Sequence, residues 1–246
     1  MSDRHQKGVN MGKLRTLDEY LAEHEFLREA ANFNLQLEQS FADVEPLDLP
    51  SRDEVLKLVN ADKIPLLQRD EFGTKILAAV ERVTKIPRAL SEKFLRQEPS
   101  DEVLMRKTFW AAVDKLVPDE LKLWQRDEWL ENFCPICGRR PVMAWLKKLN
   151  EGRARYLSCG GCRTLWHWRR VGCPYCGNVD LERIHIIEFD GKRTIRLDVC
   201  DECHAYLKTY GEDDEPDIYL RDWTTLHLDL SAEEQHLRKC GAVELE

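Results

Sequence analysis

Apolar residues recur at helical spacing through the first half of the chain and at strand spacing through much of the second. Thr16-Leu17-Asp18-Glu19 is a capping box, a side-chain pair that satisfies free amides of a first helical turn. Leu17, Tyr20, Leu21, His24, Leu27 and Ala31 then fall on one face. Ser51-Arg52-Asp53-Glu54 opens a second helix, with Val55, Leu58 and Val59 inward. A third is predicted over residues 71–84 through Ile76, Leu77, Val80 and Val83, stopped ahead of Pro87. Residues 101–116 and 119–130, separated by Pro118, complete the helical set; Phe109, Trp110, Trp124 and Trp129 read as core or interdomain packing. Beyond residue 130 the period changes. Residues 141–149 and 153–158 read as strands around Asn150-Glu151-Gly152, and residues 183–189 and 192–199 as strands around the hairpin signal Asp190-Gly191.

Cysteine placement gives this second half its chemistry. Eight of nine cysteines form four Cys-x-x-Cys pairs: Cys134/Cys137, Cys159/Cys162, Cys173/Cys176 and Cys200/Cys203. Two sulfurs on one tight turn aim at one point, and two such turns complete a tetrahedral four-thiolate site. Four pairs therefore predict two metal ions per chain. Cys134-Pro135-Ile136-Cys137-Gly138 and Cys173-Pro174-Tyr175-Cys176-Gly177 have the rubredoxin knuckle form, in which proline fixes φ and glycine accepts a left-handed backbone. Each is followed by a hairpin and then a proline-free pair, so the region reads as a duplication. The simplest pairing joins Cys134, Cys137, Cys159 and Cys162 in one site and Cys173, Cys176, Cys200 and Cys203 in the other; an interleaved arrangement would ignore the repeat. His167 and His204 lie at ligand-like positions, but eight thiolates already suffice. Cys240 is a spare thiol.

The expected architecture is α+β and multidomain: a helical domain over residues 1–130, rubredoxin-like four-cysteine zinc-ribbon modules over 131–171 and 172–210, and an acidic, partly helical segment over 211–246. A ribbon of about forty residues is too small to hold itself without a clamp, so metal supplies folding energy. The chain starts Met1-Ser2-Asp3-Arg4-His5 with no apolar signal segment, and no apolar run approaches membrane-spanning length. A reducing, cytoplasmic setting is therefore expected, which disfavours disulfides. Redox pairs of the thioredoxin kind would need a βαβ setting rather than hairpins.

Charge is uneven along the 246 residues, whose net value is −8. Residues 1–130 carry 20 basic and 25 acidic side chains, residues 131–210 carry 14 and 9, and residues 211–246 carry 3 and 11. Arg139, Arg140, Lys147, Lys148, Arg153, Arg155, Arg163, Arg169 and Arg170 make one span of the ribbons basic. Four thiolates around a divalent ion leave surplus negative charge, which such cations neutralise; equally, they offer a surface to an acidic partner. The run Glu212-Asp213-Asp214-Glu215 is a solvated stretch or a cover for that face. The acidic flanks argue against nucleic acid, and no nucleotide loop, catalytic triad order or His-Glu-x-x-His motif is present.

Phe133-Cys134-Pro135-Ile136-Cys137-Gly138 with Pro141, followed by Arg155-Tyr156-Leu157-Ser158-Cys159-Gly160-Gly161-Cys162, resembles the formate dehydrogenase accessory protein family, FdhE. Thr164-Leu165-Trp166-His167, Arg170-Val171 and Cys173 resemble the family's link between ribbons. Cys200-Asp201-Glu202-Cys203 with Tyr206-Leu207-Lys208 resembles its last knuckle. The resemblance covers residues 131–210 closely and departs in a shorter helical N-terminal part. It implies a cytoplasmic maturation factor, a chaperone that binds the catalytic subunit of formate dehydrogenase during assembly without turnover. It also implies iron or zinc as the metal. On that reading Trp166, His167, Trp168, Arg169 and Arg170 are presented to the client; equally, Trp166 forms the hydrophobic seam between the ribbons, with His167 bonded locally. Two alternatives stand beside it: a rubredoxin-like electron-transfer protein, and a nucleic-acid-binding zinc-ribbon protein.

Overall fold

The helices of the first half follow their caps and stripes, with three departures. The computed structural model describes residues 17–189, 192–211, 222 and 224–241; Thr16, the Asp190-Gly191 turn and the Glu212–Glu215 run lie outside the described residues. Helix α1 (Leu17–Glu23) stops at His24, whose ring stacks on Tyr20 with centroids 4.1 Å apart and whose Nδ1 bonds the Tyr20 carbonyl at 3.0 Å. After a short 3-10 turn, α2 (Arg28–Ser40) continues the stripe, so Leu21 and Ala31 pack together from two helices. Helix α3 (Arg52–Asp62) starts at the predicted capping box, where the Ser51 amide donates to Glu54 at 3.0 Å. Helix α4 (Asp70–Thr84) buries Phe72, Ile76, Leu77 and Val80, and turns off at Lys85 with φ 63°. The second departure is α5 (Arg88–Leu95), which uses Pro87 as its starting residue where the sequence reading used it only as a stop. Helix α6 (Val103–Leu116) follows.

The helix expected over residues 119–130 does not form. Asp119–Leu121 make a 3-10 turn and Leu123–Trp124 become strand β1. The backbone of this stretch is used across the molecule rather than within it: the Leu165 amide donates to the Lys122 carbonyl at 2.7 Å, and β1 pairs in parallel with a ribbon strand. A sheet edge with unpaired groups outweighs a few tenths of a kcal/mol of helix propensity per residue.

Each ribbon is a three-stranded meander: β2 (Pro141–Lys148), β3 (Arg153–Cys159) and β4 (Leu165–Trp168), then β5 (Ile184–Phe189), β6 (Lys192–Cys200) and β7 (Ala205–Tyr210). Together they form one sheet in the order β1-β4-β3-β2-β7-β6-β5. The first strand of ribbon one runs parallel to the last strand of ribbon two, with Met143 opposite Lys208 and Trp145 opposite Tyr210. The duplication is thus a side-by-side repeat within one continuous sheet. The third strand of each ribbon carries no turn signal of its own, which is why residues 165–168 had read as a link.

One sheet face and the helices share a core containing Phe72, Phe109, Trp110, Trp124, Trp129, Leu157, Trp166 and Leu207. The opposite face, with Trp145, Tyr156, Leu197 and Tyr210, is covered by α7 (Leu226–Glu234), and β8 (Arg238–Lys239) pairs with β7. A buried clasp holds that C-terminal layer. Lys208 Nζ meets Asp222 and, at 2.8 Å, Asp229; Lys239 reaches both carboxylates, and the Tyr206 hydroxyl donates to Asp229. Between the ribbons, buried Arg155 of β3 pairs with Asp198 of β6 at 3.1 Å and donates to the Gly172 carbonyl.

Candidate metal centres

The two proline-containing knuckles have matching backbones. Gly138 and Gly177 donate to the carbonyls of Cys134 and Cys173, each at 2.9 Å, while the Cys134 and Cys173 amides donate to the Arg139 and Asn178 carbonyls at 2.9 and 2.8 Å. Both glycines have φ 80°. The proline-free knuckles reach the same left-handed turn without glycine, at Arg163 with φ 57° and His204 with φ 54°. His204 is therefore a turn residue of its knuckle.

These turns gather the sulfurs into the pairing suggested by the duplication. Cys134, Cys137, Cys159 and Cys162 form one group and Cys173, Cys176, Cys200 and Cys203 the other, with all four sulfurs of each within 4.8 Å of one another. In the first group the Cys134–Cys162 and Cys137–Cys162 sulfurs lie 3.5 Å apart, and Cys159–Cys162 3.8 Å. In the second, Cys173–Cys203 is 3.6 Å and Cys176–Cys200 3.7 Å. A tetrahedral ion with metal–sulfur bonds of about 2.3 Å needs sulfurs about 3.8 Å apart, so both cages fit a four-thiolate metal. Neither histidine belongs to a group.

Electrostatics points the same way. Burial pushes the Cys134 and Cys137 thiols well above their ordinary value. At Cys159 burial acts upward too, but hydrogen bonds from Cys134, Cys137 and Cys162 and the charge of Arg139 outweigh it and hold this thiol low. Four sulfurs so close cannot all ionise unaided, and a central cation is what reconciles them. Donors are already aimed at sulfur: the Gly161 amide at Cys159 (3.3 Å) and Asn178 Nδ2 at Cys200 (3.5 Å). The donor set suits iron or zinc alike.

The two cages differ in cover. All four sulfur-bearing residues of the first are buried, whereas in the second Cys176 is exposed and Cys203 half-buried. Over the first knuckle lies a 3-10 turn, Leu66–Gln68, whose Leu66 and Leu67 amides donate to the Pro135 and Ile136 carbonyls at 2.9 and 2.8 Å. Gln68 donates to the Cys137 carbonyl at 3.2 Å. A Cβ on Gly138 would touch Pro65 at 3.1 Å; one on Gly177 would meet nothing within 4 Å. Gly161 lies tight under Trp110 and Arg139, and Arg139 stacks on the Trp110 ring. Sequence reasoning missed this cover because residues 65–68 and 110 are remote from the cysteines along the chain.

The residues expected to face a client are divided. Trp166 is fully buried, its Nε1 donating to the Glu131 carbonyl at 3.1 Å, and Trp168 is 2% exposed. Both indoles are spent on the core, because β4 turns residues 166 and 168 toward the helices. His167 is half-buried against Tyr156, and burial, with some repulsion from Arg126, holds its imidazole below the ordinary value. Arg169 and Arg170 are exposed. The basic span is likewise broken up: Arg139 and Arg155 are buried in packing, Arg140 donates to the Pro174 carbonyl, and Arg163 pairs with Glu38 and Asp114. No helix among the described residues is long and apolar enough to cross a membrane.

A family model, FdhE, central domain, matches residues 133–170, which span the whole first cage. An FdhE homolog from Shewanella sp. (strain MR-4) is 30% identical over 187 residues, covering 71% of this chain and 60% of that protein. A homolog from Aquifex aeolicus is 28% identical over 154 residues, and FdhE from Escherichia coli O1:K1 is 29% identical over 130. These matches cover 71%, 60% and 52% of this chain and span 60%, 53% and 41% of the relatives' own lengths. The crystal structure of FdhE from Pseudomonas aeruginosa has the same fold, with a TM-score of 0.63 and 20% identity over 92% of this chain and 91% of that one. Two four-cysteine cages in a tandem-ribbon sheet, the matched central domain and these relatives agree: residues 133–170 match the FdhE central domain, and the chain around them is similar to FdhE proteins.

Proposed function

We propose that this protein is a cytoplasmic accessory factor that binds the catalytic subunit of formate dehydrogenase during assembly, by recognition and without turnover. The observation that carries the reading is the pair of four-cysteine cages within a chain similar to FdhE proteins. Cys134, Cys137, Cys159 and Cys162 would hold one iron or zinc ion, and Cys173, Cys176, Cys200 and Cys203 a second. When bound, each ion cross-links two knuckles and so fixes a ribbon too small to order itself. The chain's own residues then do the recognising. With Trp166 and Trp168 buried, the exposed pair Arg169 and Arg170 at the end of β4 supplies the contact, beside half-buried His167. Arg170 is steadied by donating to the Arg153 carbonyl at 3.2 Å, and Arg169 lies against Trp168 with 5.1 Å to the ring centroid. A guanidinium held in this way is pre-organised for a carboxylate on a partner.

The test is capture of the catalytic subunit from anaerobic extract of the native host. Arg169→Ala/Arg170→Ala is expected to lower capture at least about tenfold while metal content and melting stay unchanged, as for exposed side chains outside a core. Equal loss of capture and metal would make the arginines structural. Recovery of a redox partner or of nucleic acid in place of the subunit would reject the assembly role.

A further inference from the structure

The repeat places two chemically matched cages in unmatched surroundings, and the difference lies in which sulfur an outside molecule can touch. To reach Cys134 or Cys137, an incoming group must lift the Leu66–Gln68 turn, breaking its hydrogen bonds to Pro135 and Ile136 and parting the shared core. From the other side Cys159 and Cys162 are shut in by Trp110 and Arg139 packed on Gly161. Among the described residues the second cage has no counterpart to either cover. Cys176 and Gly177 are exposed, and the position corresponding to Gly161 is Glu202, whose side chain is 52% exposed in an ion pair with Arg183. His185 and Asp201 pair nearby at 2.5 Å, also about half-exposed. On this side Arg238 donates to the Cys203 carbonyl at 2.9 Å from a side chain that is itself exposed.

We propose that the second cage is an exchange site, able to pass its ion to, or take it from, a thiol-bearing acceptor, while the first cage is a permanent structural clamp. This rests on the metal-binding part of the reading above and is independent of the client. The step is ligand substitution. The bond between the ion and Cys176 Sγ breaks as a bond to the incoming sulfur forms, and the incoming thiol's proton passes to Cys176. The ion keeps four sulfur ligands, and no electron is transferred. Repetition at half-buried Cys203 continues the transfer. Exposed groups exchange through small local openings, whereas buried ones wait for larger unfolding, so the two ions differ in rate rather than in ligand chemistry.

The experiment uses the full chain loaded anaerobically with zinc and challenged with an excess of a dithiol chelator, with release followed by absorbance. The expected trace has two phases of one ion each, at least about tenfold apart in rate. Brief iodoacetamide treatment of the loaded protein, mapped by mass spectrometry, is expected to label Cys176 first among the eight cage cysteines. Cys176→Ser should abolish the fast phase and leave the slow one unchanged. Because that variant also loses a ligand, labelling of the unaltered protein provides the independent readout. Two ions leaving in one phase, or first labelling at a cysteine of the first cage, overturns the exchange proposal alone. A chain that takes up neither zinc nor iron overturns the metal-binding reading and the exchange proposal with it.

Discussion

The two cages are a controlled comparison within one molecule. Their knuckles share hydrogen bonds, φ values and sulfur spacing, yet one is sealed in the main core and the other opens to solvent. What differs is not the motif but what has packed against it. The helices pack on the first ribbon through Leu66, Leu67, Gln68 and Trp110; the second ribbon is supported from behind by α7 and the Lys208–Asp222–Asp229–Lys239 clasp. Ligand chemistry is therefore local, whereas access and cooperativity are tertiary.

The largest predicted effect separates the cages directly. Cys137→Ser is expected to cost at least about 5 kcal/mol, since it removes an ion whose cage is continuous with the helical core, and thermal melting should show ribbon and helices lost together. Cys176→Ser should lose one ion yet leave the melting of the helices in place. If both variants lower helical melting equally, the contrast between the cages is wrong.

Next in size is the link between the ribbons. Arg155→Leu removes a guanidinium that is 1% exposed and leaves Asp198, its side chain 9% exposed, with Arg196 and Thr209 as remaining partners. Breaking a buried pair from one side costs about 3 kcal/mol, and the second ribbon should unfold ahead of the first, seen by proteolysis between residues 184 and 210. An unchanged cleavage pattern would show that the β2–β7 pairing alone couples the units.

The smallest effect tests the cover itself. In Gly161→Ala the new methyl would lie 2.6 Å from the Trp110 ring and 2.7 Å from Arg139, a clash expected to cost about 1–3 kcal/mol in denaturant unfolding. At the equivalent place in the second ribbon, Glu202→Ala should stay within about 0.5 kcal/mol, because the side chain is exposed. Equal costs would mean that the two knuckles are covered alike.

The elements legible in the sequence were those specified by neighbours along the chain. Ser51 and Glu54 announced α3, Pro135 and Gly138 announced the knuckle, and the spacing of eight cysteines announced two cages in sequential pairing. Misreadings fell where a distant partner decided. Residues 119–130 gave up a helix to pair with β4, Leu165–Trp168 became a strand only because β3 and β1 flank it, and Pro87 starts α5 where it had read as an end. Trp166 and Trp168 had looked available to a partner because aromatic type says nothing of orientation; the alternation of β4 turns both inward.

Cysteine spacing, proline and glycine determined the cages, because a knuckle closes within about five residues and its hydrogen bonds are short in sequence. The sealing of one cage and the exposure of the other were decided only by the tertiary structure. They depend on which surfaces come together from residues 65–68, 110 and 238, and burial is a property of the packed whole rather than of any segment.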